Sequence, residues 1–273
     1  MTPTFAVVVP AYQAAGTIRR CLQSVADQSL VPSQVIVIDD HSGDDTAAIA
    51  ADYHHLLAGR GIDLRVIRQP ANAGPSAARN VGIMQALATH VAFLDSDDVW
   101  HSRKLEVVRA HLGANPGAAM LFHTYTDRPA FGDPEPRPDD YLVARVRLRD
   151  LLWRNSAQTS CVVLRRDCPE RFDERVRYCE DHDLWLRIAE SHEIIRILGP
   201  ALTRLGRPQL AEGGLSGSQH RMRAGEMRAY LNFCSRRWFP RIALLPLLLA
   251  LSVVKHGVST LRRGPRLMDS PGP

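Results

Sequence analysis

The chain has 273 residues, 45% hydrophobic and 23% charged, with a formal net charge of +5. That composition excludes a disordered chain, a collagen and a free-standing coiled coil. The charge is uneven: from Arg221 onward ten Lys/Arg face only Glu226 and Asp269, a tail of +8 on a body of −3, which argues against a nucleic-acid-binding body.

Taken in order, the first half alternates two textures. Phe5–Pro10 is an apolar, β-rich run. Thr17–Gln28 has helical spacing, with Ile18, Leu22 and Val25 on one face. Val35–Asp39 is a second apolar run, and Thr46–Leu57 is predicted as one helix that Asp44 or Asp45 can cap. Leu64–Gln69 is a third strand, Ser76–Ala88 a helix with Ser76 able to cap it, and Val91–Leu94 a fourth strand. Strand–helix alternation at this spacing predicts an α/β fold with a mainly parallel sheet flanked by helices. Ligands of such sheets sit at the carboxyl ends of the strands. Those ends carry Pro10-Ala11-Tyr12, Asp39-Asp40 and Asp95-Ser96-Asp97-Asp98.

From about Pro116 the texture changes. Asp127–Asp140 holds four prolines and reads as a loop. A short helix follows near Leu148–Trp153, then a strand at Ser160–Leu164, a helix at Asp181–Glu190 and a strand at Ile194–Leu198. Ala211–Ser218 is rich in Gly and Ser. In the tail, the apolar run Ile242–Val254 has 13 residues, short of the about 20 that a helical bilayer span needs. Trp238, Phe239 and this run lie among arginines. An anionic membrane surface suits such a segment, each basic side chain near it contributing about 1 kcal/mol. Packing on the body, or on a second copy in a homodimer, is the other reading. Five widely spaced cysteines without a C-x-x-C pair, and an N-terminus that reads as a first strand, point to a cytoplasmic protein.

Two carboxylates at a strand tip repel unless a cation lies between them. Hard divalent ions take oxygen ligands, and Mg²⁺ often uses one or two carboxylates with phosphate oxygens. Asp95 and Asp97 therefore suit a metal-bound diphosphate, although a solvated acidic turn has the same spacing. Arg79, near the start of its helix, opposes the helix dipole, so it calls for an anionic partner such as Asp95 or a phosphate. Glu180, Asp181 and Asp183 open another helix, where acids either compensate the dipole or serve as a general base.

Five segments in this order resemble the family 2 glycosyltransferases, which have the GT-A fold. They are Val8–Tyr12, Asp39–Ser42, Asn72–Asn80, Phe93–Asp98 and Glu180–Arg187, together spanning about residues 4–190. Gln13 stands where the family usually has Asn. The resemblance implies inverting transfer of a sugar from a nucleotide diphosphate sugar to a glycan, lipid-linked or cell-envelope acceptor, with Mn²⁺ or Mg²⁺ as cofactor. It implies that Pro10 and Tyr12 border the base, that Asp40 binds the base, and that Arg79 lies near the diphosphate and orders the acidic loop. It makes Ser96 part of the donor site, Asp95 and Asp97 the D-x-D metal pair and Asp181 the catalytic base. A late histidine of some relatives falls on His220, a further candidate metal ligand.

By this reading residues 1–115 bind the nucleotide sugar, 116–220 bind the acceptor, and 221–273 form a helical tail facing the inner surface of the membrane or another protein surface. Two alternatives come from the residues themselves. Asp95–Val99 also fits the D-x-D-x-[TV] pattern of haloacid-dehalogenase-like phosphatases, and a non-catalytic nucleotide-sugar-binding scaffold would share the same pocket.

Overall fold

The computed structural model describes residues 2–132, 135–206, 219–236, 244–250 and 252. Its centre is an eight-stranded sheet in the order β3-β2-β1-β4-β9-β6-β10-β8. Strands β1 (Phe5–Ala11), β2 (Gln34–Asp39), β3 (Asp63–Arg68) and β4 (His90–Phe93) pair in parallel. So do β6 (Ala118–His123) and β10 (Glu193–Leu198). Strand β9 (Val162–Arg165) inserts antiparallel between β4 and β6, and β8 (Leu142–Val146) closes the far edge antiparallel to β10. Segments before and after residue 115 thus share one sheet. A small second sheet joins β5 (Val99–Trp100), β11 (Thr203–Arg204) and β7 (Tyr125–Thr126).

The central strands are buried on both faces, as their continuous apolar runs require. Their side chains alternate between two cores. Val7, Val9, Val35 and Val37 join the core covered by α1 (Ile18–Ala26), α2 (Thr46–Ala51), α3 (His54–Ala58) and α5 (Lys104–Ala114). Val8, Ile36 and Ile38 join the core under α4 (Pro75–Gln85), α6 (Leu148–Trp153), α7 (Glu180–Ser191) and α8 (Gln219–Ser235). At Gly82 helix α4 lies so close to β1 that an added Cβ would meet Val8 Cγ1 at 2.3 Å.

Two expectations are corrected. The single helix over 46–57 is two short ones, broken at Asp52 and Tyr53, and Tyr53 turns its hydroxyl to the Arg19 carbonyl at 2.9 Å. Ser76 does not cap α4: Gly74 holds the cap position with φ 87, a conformation glycine adopts freely, and Ser76 is buried one residue beyond Pro75.

The tail divides. Helix α8 packs on α7, where the buried carboxylate of Asp183 accepts from Arg187, Asn232 and Arg236 at 3.0 to 3.2 Å. Gly225 allows α8 to approach Tyr178, whose carbonyl oxygen an added Cβ would meet at 2.5 Å. Residues 245–250 are helical, with Leu248 buried and Leu247 66% exposed. Trp238, Phe239, residues 242, 243, 251, 253 and 254 of the run, and Ala211–Ser218 lie outside the described residues. Among the described residues no helix is long and apolar enough to cross a membrane.

Candidate active site

The carboxyl ends of β1, β2 and β4 form one edge of the sheet. At the first, Pro10 is buried and Tyr12 is 50% exposed. Gln13 and His41 both take left-handed backbone, φ 48 and 62, where β1 and β2 turn. The Gln13 N–H donates to Ser42 Oγ at 2.9 Å, tying the two turns together. Asp40 is buried, and its carboxylate accepts from the Ala73 and Gly74 N–H groups at 2.8 and 2.7 Å. It thereby shapes the Asn72–Gly74 turn leading into α4. Its neighbour Asp39 keeps a buried oxygen, Oδ2, that makes no hydrogen bond and lies 3.5 Å from Arg68 Nε.

Arg79 connects the third strand end to α7. Its Nη2 donates to Asp95 at 2.8 Å and its Nη1 to Glu180 at 2.9 Å. Burial opposes its charge, but the charges of Asp95 and Glu180 outweigh that, and its pKa rises. The expected anionic partner of Arg79 is therefore Asp95, joined by Glu180, which the sequence did not pair with it. Phe172 packs below, its ring centroid 5.3 Å from the guanidinium.

The acidic loop is held from behind. Asp95 N–H donates to Ser160 Oγ at 3.0 Å, and Arg20 donates to the Asp97 carbonyl at 2.9 Å. The Gly206 N–H donates to Asp98 at 2.8 Å. Buried Lys104 and Trp100 both donate to the Ser160 carbonyl, at 2.9 and 3.1 Å, and the Lys104 ammonium lies 3.4 Å from the Trp100 ring centroid. Asp95, Ser96 and Asp97 keep partial exposure while Asp98 is buried. Burial, then the Asp95 and Asp97 charges, push the Asp98 pKa up to about 7. Three carboxylates thus crowd one loop, and the two that keep exposure, Asp95 and Asp97, could hold a divalent cation.

Asp181 lies in the first turn of α7. Its Oδ1 accepts from the His182 N–H at 2.7 Å and its Oδ2 from Asn155 at 3.2 Å. Burial raises its pKa and the Asp95 charge adds to that, while those two bonds and Arg79 pull it down. The helix beneath is fixed by His182 to the Leu151 carbonyl at 2.9 Å and by the Trp185 indole N–H to the Ala157 carbonyl at 3.1 Å. His220 is exposed in the first turn of α8. Sequence reasoning missed Lys104, Asn155, Ser160 and Gly206 as parts of this site, and none of them has a local signal.

Residues 6–168, more than half of the chain, match the family described as glycosyl transferase family 2. The chain is 28% identical over 213 residues to the uncharacterized glycosyltransferase EpsJ of Bacillus subtilis, covering 74% of this chain and 60% of EpsJ. It is 25% identical to the UDP-Glc:alpha-D-GlcNAc-diphosphoundecaprenol beta-1,3-glucosyltransferase WfgD of Escherichia coli, over 70% of this chain and 72% of WfgD. The structure of S. aureus TarS 1-349 in complex with UDP-GlcNAc superposes with a TM-score of 0.69 at 22% identity, covering 98% of this chain and 76% of that one. These likenesses give the fold as GT-A, and the chain belongs to glycosyl transferase family 2.

Proposed function

We propose that this protein transfers a sugar, with inversion, from a nucleoside diphosphate sugar to the hydroxyl of a glycan or lipid-linked acceptor. The observation that carries the reading is the Arg79 bridge, which ties the Asp95 loop to Glu180, the residue beside Asp181. One buried guanidinium thereby sets the donor-side acids against the candidate base. Tyr12 and the turns shaped by Asp40 border the nucleoside, with Pro10 beneath, and Ser96 lies on the diphosphate side. Asp95 and Asp97 would hold a divalent cation, Mn²⁺ or Mg²⁺, and His220 is a further candidate ligand. When bound, that cation would neutralise charge developing on the departing diphosphate.

Asp181 takes the proton of the acceptor hydroxyl. That oxygen forms a bond to the anomeric carbon as the bond from this carbon to the diphosphate oxygen breaks on the opposite face. Arg79 positions both acids, its Nη groups being already engaged. Because WfgD is named for UDP-Glc and a diphosphoundecaprenol acceptor, and TarS was solved with UDP-GlcNAc, UDP-sugars are the first donors to test.

In the test, nucleotide sugars are supplied with Mn²⁺ or Mg²⁺ and acceptor, and released nucleoside diphosphate is measured. Asp181→Asn should lower transfer at least 10²-fold while nucleotide affinity stays within a few fold. Retained turnover removes Asp181 from the base role. Free phosphate from a generic phosphoester, without a sugar acceptor, would favour the phosphatase reading instead. We further propose that the tail docks on the inner face of an anionic membrane. The chain should co-sediment with anionic vesicles at low salt and be released at high salt. Failure to sediment leaves protein packing as the tail's role.

A further inference from the structure

On the side of the molecule away from the proposed transfer chemistry, three side chains with metal-binding atoms converge. Cys168 lies in the turn after β9, Glu170 follows it, and His192 ends α7. The Cys168 thiol, a Glu170 carboxylate oxygen and a His192 ring nitrogen all lie within 4.8 Å of one another. Cys168 Sγ is 2.9 Å from Glu170 Oε2, and His192 Nε2 is 3.2 Å from the same oxygen. That nitrogen is buried and makes no hydrogen bond, so it faces the carboxylate without being aligned to donate to it. In a tetrahedral zinc site with bonds of about 2.0–2.3 Å, neighbouring ligand atoms lie roughly 3.3–3.5 Å apart. The two spacings to Glu170, 2.9 and 3.2 Å, lie near or below that value, and the third is within 4.8 Å.

We propose that Cys168, Glu170 and His192 form a binding site for a zinc-type divalent cation, separate from the acids at Asp95 and Asp97. Sulfur, nitrogen and oxygen together select zinc over magnesium or manganese, which prefer all-oxygen ligands. Three protein ligands leave a fourth position, and because Glu170 and His192 both keep some exposure, water fills it. Binding releases the Cys168 proton.

The cation would pin the turn after β9 to the end of α7. Two residues past Glu170, Phe172 packs edge-on against Phe93 and Trp185 and under Arg79. The proposed role is to fix this turn, and it does not depend on the transfer reaction.

The test uses the full chain, freed of metal with a chelator and then titrated with Co²⁺ alone. One equivalent should produce a thiolate-to-cobalt charge-transfer absorption that Zn²⁺ abolishes. A cobalt ion on the aspartates alone gives no such band, so the two sites are told apart. His192→Ala, at a partly exposed position, should fold normally by circular dichroism and bind Zn²⁺ at least tenfold more weakly. Cys168→Ser should lose the band. No charge-transfer absorption in the wild type, the same band in Cys168→Ser, or unchanged Zn²⁺ affinity in His192→Ala overturns the proposal and leaves a hydrogen-bonded cluster.

Discussion

Gln13 and His41 carry the backbone strain of the donor edge. A left-handed conformation costs a side-chain-bearing residue roughly 1–2 kcal/mol, and Asn is one of the few that tolerate it. Gln13 therefore holds a conformation that Asn adopts at less cost. Gln13→Asn should stabilise the fold by about 0.5 kcal/mol, read as a higher urea midpoint. A midpoint that stays or falls would mean that Gln13 carries no strain that Asn relieves. Strain of this kind has no signature in composition or periodicity. Asp40 shows a related gap. Its place at a strand end is legible, but the two backbone N–H groups it accepts come from Ala73 and Gly74, over thirty residues away.

Between elements, Gly206 matters more than its sequence context suggests. An added Cβ there would sit 1.8 Å from the Asp97 carbonyl oxygen and 2.8 Å from Arg20 Nη2. Gly206→Ala must therefore displace the acidic loop, at about 1–3 kcal/mol. We expect cation-dependent nucleotide affinity to drop at least tenfold, measured by thermal shift with and without nucleotide. Gly113→Ala is the control: it is helical, faces open space and should leave affinity unchanged. If Gly206→Ala binds nucleotide as the wild type does, the loop does not rest on residue 206. The parallel half of the sheet was legible because buried strands announce themselves as apolar runs, as in Val35–Asp39. The break at Asp52 and Tyr53 was not, since Tyr53 leaves the helix for a tertiary bond to Arg19. Strand β9 was legible as a strand, but its direction was not, because an apolar run reads the same parallel or antiparallel.

For the molecule as a whole, acid stability is set partly at the β4–β9 seam. There His90 pairs across the ladder with Arg165. Burial first, and then the Arg165 charge, lower the His90 pKa from 6.5 to about 4. His123 is lowered too, by burial and by Lys104. The unfolded chain takes up protons near pH 6.5 that these folded histidines refuse, so the stability they contribute is full above that pH and is lost as pH drops towards 4. Asp98, raised to about 7, acts in the opposite sense, so the test is a comparison: His90→Gln should raise the pH 5 urea midpoint relative to its own pH 7 value more than the wild type shows. An unchanged gap would clear His90 of any part in it. The same seam bears on how the protein is made. The N-terminal strands can pair among themselves as soon as they are synthesised, but the outer edge of β4 stays uncovered until Val162–Arg165 emerges. Through that interval the nascent chain presents an apolar sheet edge open to pairing with other chains, which favours chaperone cover until β9 slots in.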